Sequence, residues 1–156
     1  MNIRTYKPAD RNRCLTIFES NMPKYFALDE RQLFEDWLTA QEAGKLAHPV
    51  SSKEYFYIIE VNQEIVGCAG YLTVKDQSEI YLAWGMVDQK LHKAGFGKAL
   101  LKYRLEEIEN NYPDYKVSVA TTQDIAPFFQ KFGFKILNIT KNYYSENLDR
   151  YDMQKF

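Results

Sequence analysis

The chain has 156 residues, 46% of them apolar and 26% charged, which suits one soluble domain with a proper core spanning residues 1–156. Its formal net charge of −1 removes the electrostatic footprint of a partner for DNA, RNA or an anionic membrane surface.

Asn2 to Lys7 reads as a short strand, interrupted by Pro8. Asp10 is placed to cap a helix carrying Cys14, Leu15, Ile17, Phe18 and Asn21, which Met22 and Pro23 end. Asp29 is the next capping candidate, before an apolar stripe of Leu33, Phe34, Trp37 and Leu38. Ala43 to Ser52 reads as a loop. Tyr55 to Val61 and Glu64 to Val74 form a predicted hairpin about Asn62-Gln63, and Ser78 to Val87 adds a third strand. A helix then starts near Gly97, keeps Leu101, Leu105 and Ile108 on one face, and stops at Asn110-Asn111 and Pro113. Lys116 to Thr121 alternates as a strand. Ile125, Phe128, Phe129 and Phe132 mark a short helix ending at Gly133. Phe134 to Ile139 reads as a strand, followed by a loop with Tyr143 and Tyr144 and a short strand from Tyr151 to Gln154. The order β-α-α-β-β-β-α-β-α-β-β describes an α/β domain with a mixed sheet. The strand-helix-strand unit from Ser78 to Thr121 is expected to pair in parallel.

Cys14 and Cys68 lie in separate apolar segments and read as small buried hydrophobes. His48 and His92 are too few and too far apart for a zinc site, so no metal is expected. The segment MNIRTYKPAD lacks the apolar core of a signal peptide, and no apolar run is long enough to span a membrane. A cytoplasmic location is expected, and the oligomeric state is left open, a homodimer included.

The stretch HKAGFGKALL, residues 92–101, carries the strongest chemical signal. A helix N-terminus exposes unpaired N–H groups and a partial positive charge, and glycines let a phosphate approach the backbone. Lys90, His92, Lys93 and Lys98 surround Gly95 and Gly97. Leu100 stands where a dinucleotide fingerprint needs its third glycine, and Ala99 where a P-loop needs Ser or Thr.

His92-Lys93-Ala94-Gly95-Phe96-Gly97 resembles motif A of the GNAT superfamily of N-acetyltransferases, Arg/Gln-x-x-Gly-x-Gly/Ala, except at His92. PADRNRCLTIF is similar to that family's opening strand-helix, and APFFQKFGFKI to its motif B. The order of elements matches the family fold over essentially the whole chain. The resemblance implies acetyl-CoA as co-substrate. It also implies a small-molecule or peptide amine as acceptor, attacked directly in a ternary complex. Backbone groups from Gly85 through Met86 to Val87 would hold the pantetheine arm. The N–H groups of Lys93, Ala94, Gly95, Phe96, Gly97 and Lys98 would wrap the pyrophosphate, with His92 beside them, and Gln123 and Phe128 would lie near the arm or its thiol end.

Acetyl transfer to an amine needs a neutral nucleophile, donors for the oxyanion and a tolerable leaving group. Glu79, at the start of the central strand, is the expected base, ahead of Asp88 at the other end. A tyrosine acid is common in the family four residues before the motif B glycine. Here that residue is Phe129, which has no proton to give. Either another hydroxyl serves, with Tyr144 the candidate and Tyr143 beside it, or no acid is needed. His92 cannot reproduce an arginine fork on phosphate. The acceptor pocket is expected around Tyr25, Phe26 and Trp84, with Asp29, Glu146 and Asp149 suited to a cation. The missing tyrosine leaves an alternative, a GNAT-like module that binds acyl-CoA without turning it over.

Overall fold

A computed structural model describes residues 1–155. Seven strands form one sheet in the order β1-β2-β3-β4-β5-β7-β6. They are β1 (Asn2–Thr5), β2 (Ser51–Val61), β3 (Glu64–Val74), β4 (Glu79–Val87), β5 (Lys116–Thr121), β6 (Lys135–Ser145) and β7 (Leu148–Lys155). The helices are α1 (Arg11–Ser20), α2 (Glu30–Ala43), α3 (Phe96–Asn111) and α4 (Ala126–Gln130).

Alternation along β2 divides the core between the two faces of the sheet. Phe56 and Ile58 pack with Cys14, Phe18, Phe34 and Trp37 from α1 and α2. Tyr57 packs with Leu101 and Ile108 of α3 and Phe129 of α4, and Ile59 with Leu100. Both cysteines are free and buried, as their apolar settings predict.

The expected elements all form, with shifted ends. The β2–β3 turn is made by Asn62 and Gln63 at φ 52° and 65°, so the hairpin closes without a glycine. β2 begins at Ser51, inside the segment read as a loop. β6 runs to Ser145, so Tyr143 and Tyr144 are strand residues. Periodicity missed this because β6 is an edge strand exposed over almost its whole length, with no buried face to imprint a pattern. Asp29 does not cap α2 with its side chain; Glu30 Oε1 accepts the Ala27 N–H at 3.0 Å instead.

Two departures from a regular sheet position the site. β4 and β5 pair in parallel only from Glu79–Lys116 to Tyr81–Ser118, although both strands continue beyond. The sheet therefore splits between them. Opposite β3, the register shifts between Cys68–Met86 and Gly70–Ala83, so Trp84 and Gly85 together face Ala69. This bulge, with Trp84 at φ 51°, turns the Trp84 ring towards Phe18, Phe26 and Phe34.

Candidate active site: a cleft in the split sheet

The split opens a cleft of about 610 Å³. One wall is β4 from Leu82 to Val87, and the other runs from Val119 to Thr122 at the end of β5 and on to Phe128 and Phe129 of α4. The start of α3 closes one end, where the Tyr25 ring packs 5.3 Å from His92, and Phe26, Glu30 and Tyr144 line the cleft with Trp84 of the β4 bulge.

At the α3 end the chemistry belongs to the backbone. Gly95 turns the chain at φ 91°, a conformation that disfavours any side chain, and nothing lies within 4 Å of where its Cβ would be. The N–H groups of Gly95, Phe96, Gly97 and Lys98 have no partner among the described residues; the first bonded amide is Ala99, on the Gly95 carbonyl. A Cβ at Gly97 would stand 3.9 Å from Val87 Cγ2 and 4.0 Å from Phe128 Cζ, so the bare backbone faces the cleft. Lys93, Lys98 and Lys131 supply positive charge at the rim. Thr122 Oγ1, buried on the β5 wall, lacks a hydrogen-bond partner. Four converging N–H donors, three lysines and an orphaned hydroxyl suit the phosphates and amides of a CoA-like ligand.

The expected site residues separate into two groups. Gly85, Met86, Val87, His92, Lys93, Gly95, Gly97, Lys98, Phe128, Tyr25, Phe26, Trp84 and Tyr144 all line the cleft. Ala94 is exposed outside it, and the Phe96 side chain packs with Ile59 and Leu100. His92 lines the cleft with its Nε2–H committed to the Val87 carbonyl at 3.0 Å, so that ring nitrogen is not available to a phosphate. Asn21 Nδ2 donates to the same carbonyl at 2.9 Å, so Val87 O is already served twice. Gln123 is turned away from the cleft. Its amide donates to Asn147 O and accepts from Asp149 N–H, pinning the β6–β7 turn.

Glu79 also stands outside the cleft, at the closed end of the split. Its Oε2 accepts from Ser118 Oγ at 2.9 Å and Gln154 Nε2 at 3.2 Å, which ties β4, β5 and β7 together. Asp88 is bound to Arg13 and to the Lys90 N–H. Burial pulls its carboxyl upward, but these bonds outweigh it and hold Asp88 below the usual range.

Glu30 and Arg104 are among the cleft-lining residues that the sequence did not single out. Glu30, at the first turn of α2, is pushed up to about 6 by burial, helped by Asp29 and opposed by the Ala27 N–H. Arg104 reaches in from α3 and is 4% exposed. Sequence offered a clue to Arg104 alone: it recurs at i+4 between Leu100 and Ile108, a charge on an apolar stripe. Across from Glu30, burial pushes the Tyr144 hydroxyl up to about 12, while its neighbour Tyr143 points outward against Arg150.

A sequence model of the acetyltransferase (GNAT) domain matches residues 25–156. The chain belongs to the GNAT acetyltransferase family. No curated protein sequence matches it. Several solved GNAT structures share its fold at low identity. A ribosomal-protein-alanine N-acetyltransferase from Brucella melitensis superposes with a TM-score of 0.76 at 18% identity, over 100% of this chain and 99% of that one. An aminoglycoside 6'-N-acetyltransferase complexed with coenzyme A gives 0.73 at 14% identity, over 99% and 96%. A GNAT family acetyltransferase from Elizabethkingia anophelis with acetyl-CoA bound gives 0.67 at 20% identity, over 99% and 96%. Identities this low speak for the fold alone. Among the described residues, no helix is long and apolar enough to cross a membrane, and no three His, Cys, Asp or Glu side chains cluster as metal ligands.

Proposed function

We propose that this protein transfers an acetyl group from acetyl-CoA to a primary amine in a ternary complex. The observation that carries this reading is the single cleft joining the free amides of α3 to Glu30 and Tyr144 through the gap between β4 and β5. The α3 end takes the pyrophosphate on the N–H groups of Gly95 to Lys98, and Thr122 Oγ1 is available to the pantetheine amides. Acetyl-CoA is a co-substrate that brings an activated acyl group. The protein's work is to align it with the amine and manage one proton.

Glu30 takes the role that the resemblance gave to Glu79. Its support is position: Glu30 is on the cleft wall, whereas the Glu79 carboxylate is engaged at the far end of the split. A carboxylate ionised above about pH 6 can hold the acceptor amine and, once the neutral nitrogen has attacked through its lone pair, take the proton that the new C–N bond makes acidic. Tyr144 can return a proton to the departing thiolate, although a thiol of pKa about 8.5 leaves without much help. Phe26 and Trp84 form an apolar wall beside this pair and favour an amine carried on an apolar or aromatic body.

The test is CoA-thiol release from acetyl-CoA across polyamines, amino acids, aminoglycosides and peptide amines. Turnover with at least one primary amine is expected. Tight CoA binding with no turnover across the panel would contradict the reading in favour of a CoA-binding module without catalysis.

A further inference from the structure

Arg104 is a buried cation with no anion. Its Nε donates to Leu100 O at 3.3 Å and its Nη1 to Gly70 O at 3.0 Å. Its third nitrogen, Nη2, has no partner among the described residues. It lies under the β4 bulge, 3.1 Å from where a Cβ at Gly85 would be, so a side chain there would crowd the guanidinium and push it aside by a few tenths of an ångström. Arg104 is in no ion pair among the described residues. Burial lowers its pKa to about 10, which leaves it charged at neutral pH. The Cys68 thiol nearby is driven upward by burial and stays neutral, so it does not balance the charge. Taking a guanidinium out of water with only carbonyl partners is costly. Propping a bulge does not require that cost, since a neutral amide could bond Gly70 O.

The reaction supplies the missing anion. We propose that Arg104 is a catalytic residue whose Nη2–H donates to the thioester carbonyl oxygen and to the oxyanion that forms from it. The inference rests on the acetyl-transfer reading above. The amine lone pair forms the new C–N bond at the acyl carbon, and the carbonyl π pair moves onto oxygen, where Arg104 meets it. The oxygen pair then re-forms C=O and the C–S bond breaks. Its electrons leave on the CoA sulfur, which takes a proton from Tyr144 or water, while the nitrogen loses its proton to Glu30. The two bonded nitrogens fix the guanidinium plane in advance, so no reorganisation is needed when charge develops. The backbone carbonyls that hold it leave the third nitrogen beside Gly85, on the wall of the cleft.

The experiment compares wild type with Arg104→Met, which keeps bulk, and Arg104→Gln, which keeps a donor for Gly70 O. The readouts are CoA affinity, kcat and KM, melting temperature, and the infrared carbonyl band of bound acetyl-CoA labelled with 13C at the carbonyl. Wild type should lower that band from its solution position. Both variants should return it most of the way and lose about 100-fold in kcat, with CoA affinity kept. Arg104→Met should melt no lower than wild type, because it removes an unpaired buried charge. Folded variants with unchanged band and kcat would overturn the proposal and leave Arg104 a prop for the bulge. A wild-type band at its solution position would overturn it without any variant. Faster wild-type turnover of succinyl-CoA than of acetyl-CoA, lost in Arg104→Gln, would also overturn it, by assigning the cation to an acyl carboxylate. A wild type that neither binds acetyl-CoA nor releases thiol would instead defeat the underlying acetyl-transfer reading.

Discussion

The two ends of the cleft are built on different principles. At the α3 end, four consecutive residues present their backbone amides, and the side chains around them contribute little beyond charge. At the acceptor end, Phe26 and Glu30 near the start of α2, Trp84 on the β4 bulge and Tyr144 on an edge strand converge from three separate segments of the chain. A backbone site tolerates side-chain change as long as its glycines and helix start survive. A side-chain site depends on each residue and on the fold that gathers them. His92 illustrates the first case: it replaces an arginine or glutamine of the motif, bonds Val87 O instead of phosphate, and leaves the amide cradle unaltered.

The sharpest way to break the contrast is to put a side chain into the backbone end. Gly97→Glu has room for its Cβ, but the carboxylate must then enter the cleft between Val87 and Phe128, facing the phosphates. Like charges brought together there cost several kcal/mol, so CoA should bind about 100-fold more weakly or worse by calorimetry, with an unchanged circular dichroism spectrum. At the side-chain end, Glu30→Gln should lower kcat by roughly 100-fold or more while CoA affinity is kept. It carries a second signature in stability. Burial raises the folded-state pKa of Glu30 from 4.5 to about 6, so wild type loses that contribution as pH rises between those values. The melting temperature of Glu30→Gln should therefore exceed that of wild type at pH 7.5 and match it at pH 4.

Tyr144→Phe is expected to slow turnover by about tenfold, at the low end for a general acid, since the thiolate leaves readily unaided. Glu79→Ala should act on stability rather than on chemistry. It removes two hydrogen bonds at the closed end of the split, at a cost of about 1–2 kcal/mol in denaturant unfolding, with kcat close to wild type. The smallest effect belongs to His92→Gln, which should change CoA affinity by less than about threefold, because the cradle is made of amides.

The same contrast explains what could be read from the sequence. The α3 cradle is contiguous, so Gly95, Gly97 and the helix that follows are legible in ten residues. The near-continuous burial of β3, the alternating sequence of β5 and the apolar stripe of α3 place those elements within a residue or two. β6 carries no such pattern, and Tyr144 therefore reads as a loop aromatic until β7 is inserted between β5 and β6. Glu79 reads as a base because it begins the central strand. The parallel pairing of β4 with β5 lasts only three residues and opens towards the opposite end, which leaves Glu79 at the hinge of the wedge. The resemblance places the acceptor pocket beside Tyr25 and Phe26 but selects Asp29 as the acidic residue there; that Glu30 is the one on the cleft wall emerges only when α2 is packed on the sheet beside Trp84.

The central claim is that Glu30, and not Glu79, handles the proton of the acceptor amine. It is tested most directly by the pH dependence of kcat, measured with saturating acetyl-CoA and a reactive amine for wild type, Glu30→Gln and Glu79→Gln. The account predicts a wild-type rate that rises through a limb near pH 6 as the Glu30 carboxyl ionises, the same limb in Glu79→Gln, and its disappearance in Glu30→Gln. A limb that persists in Glu30→Gln and vanishes in Glu79→Gln would contradict it.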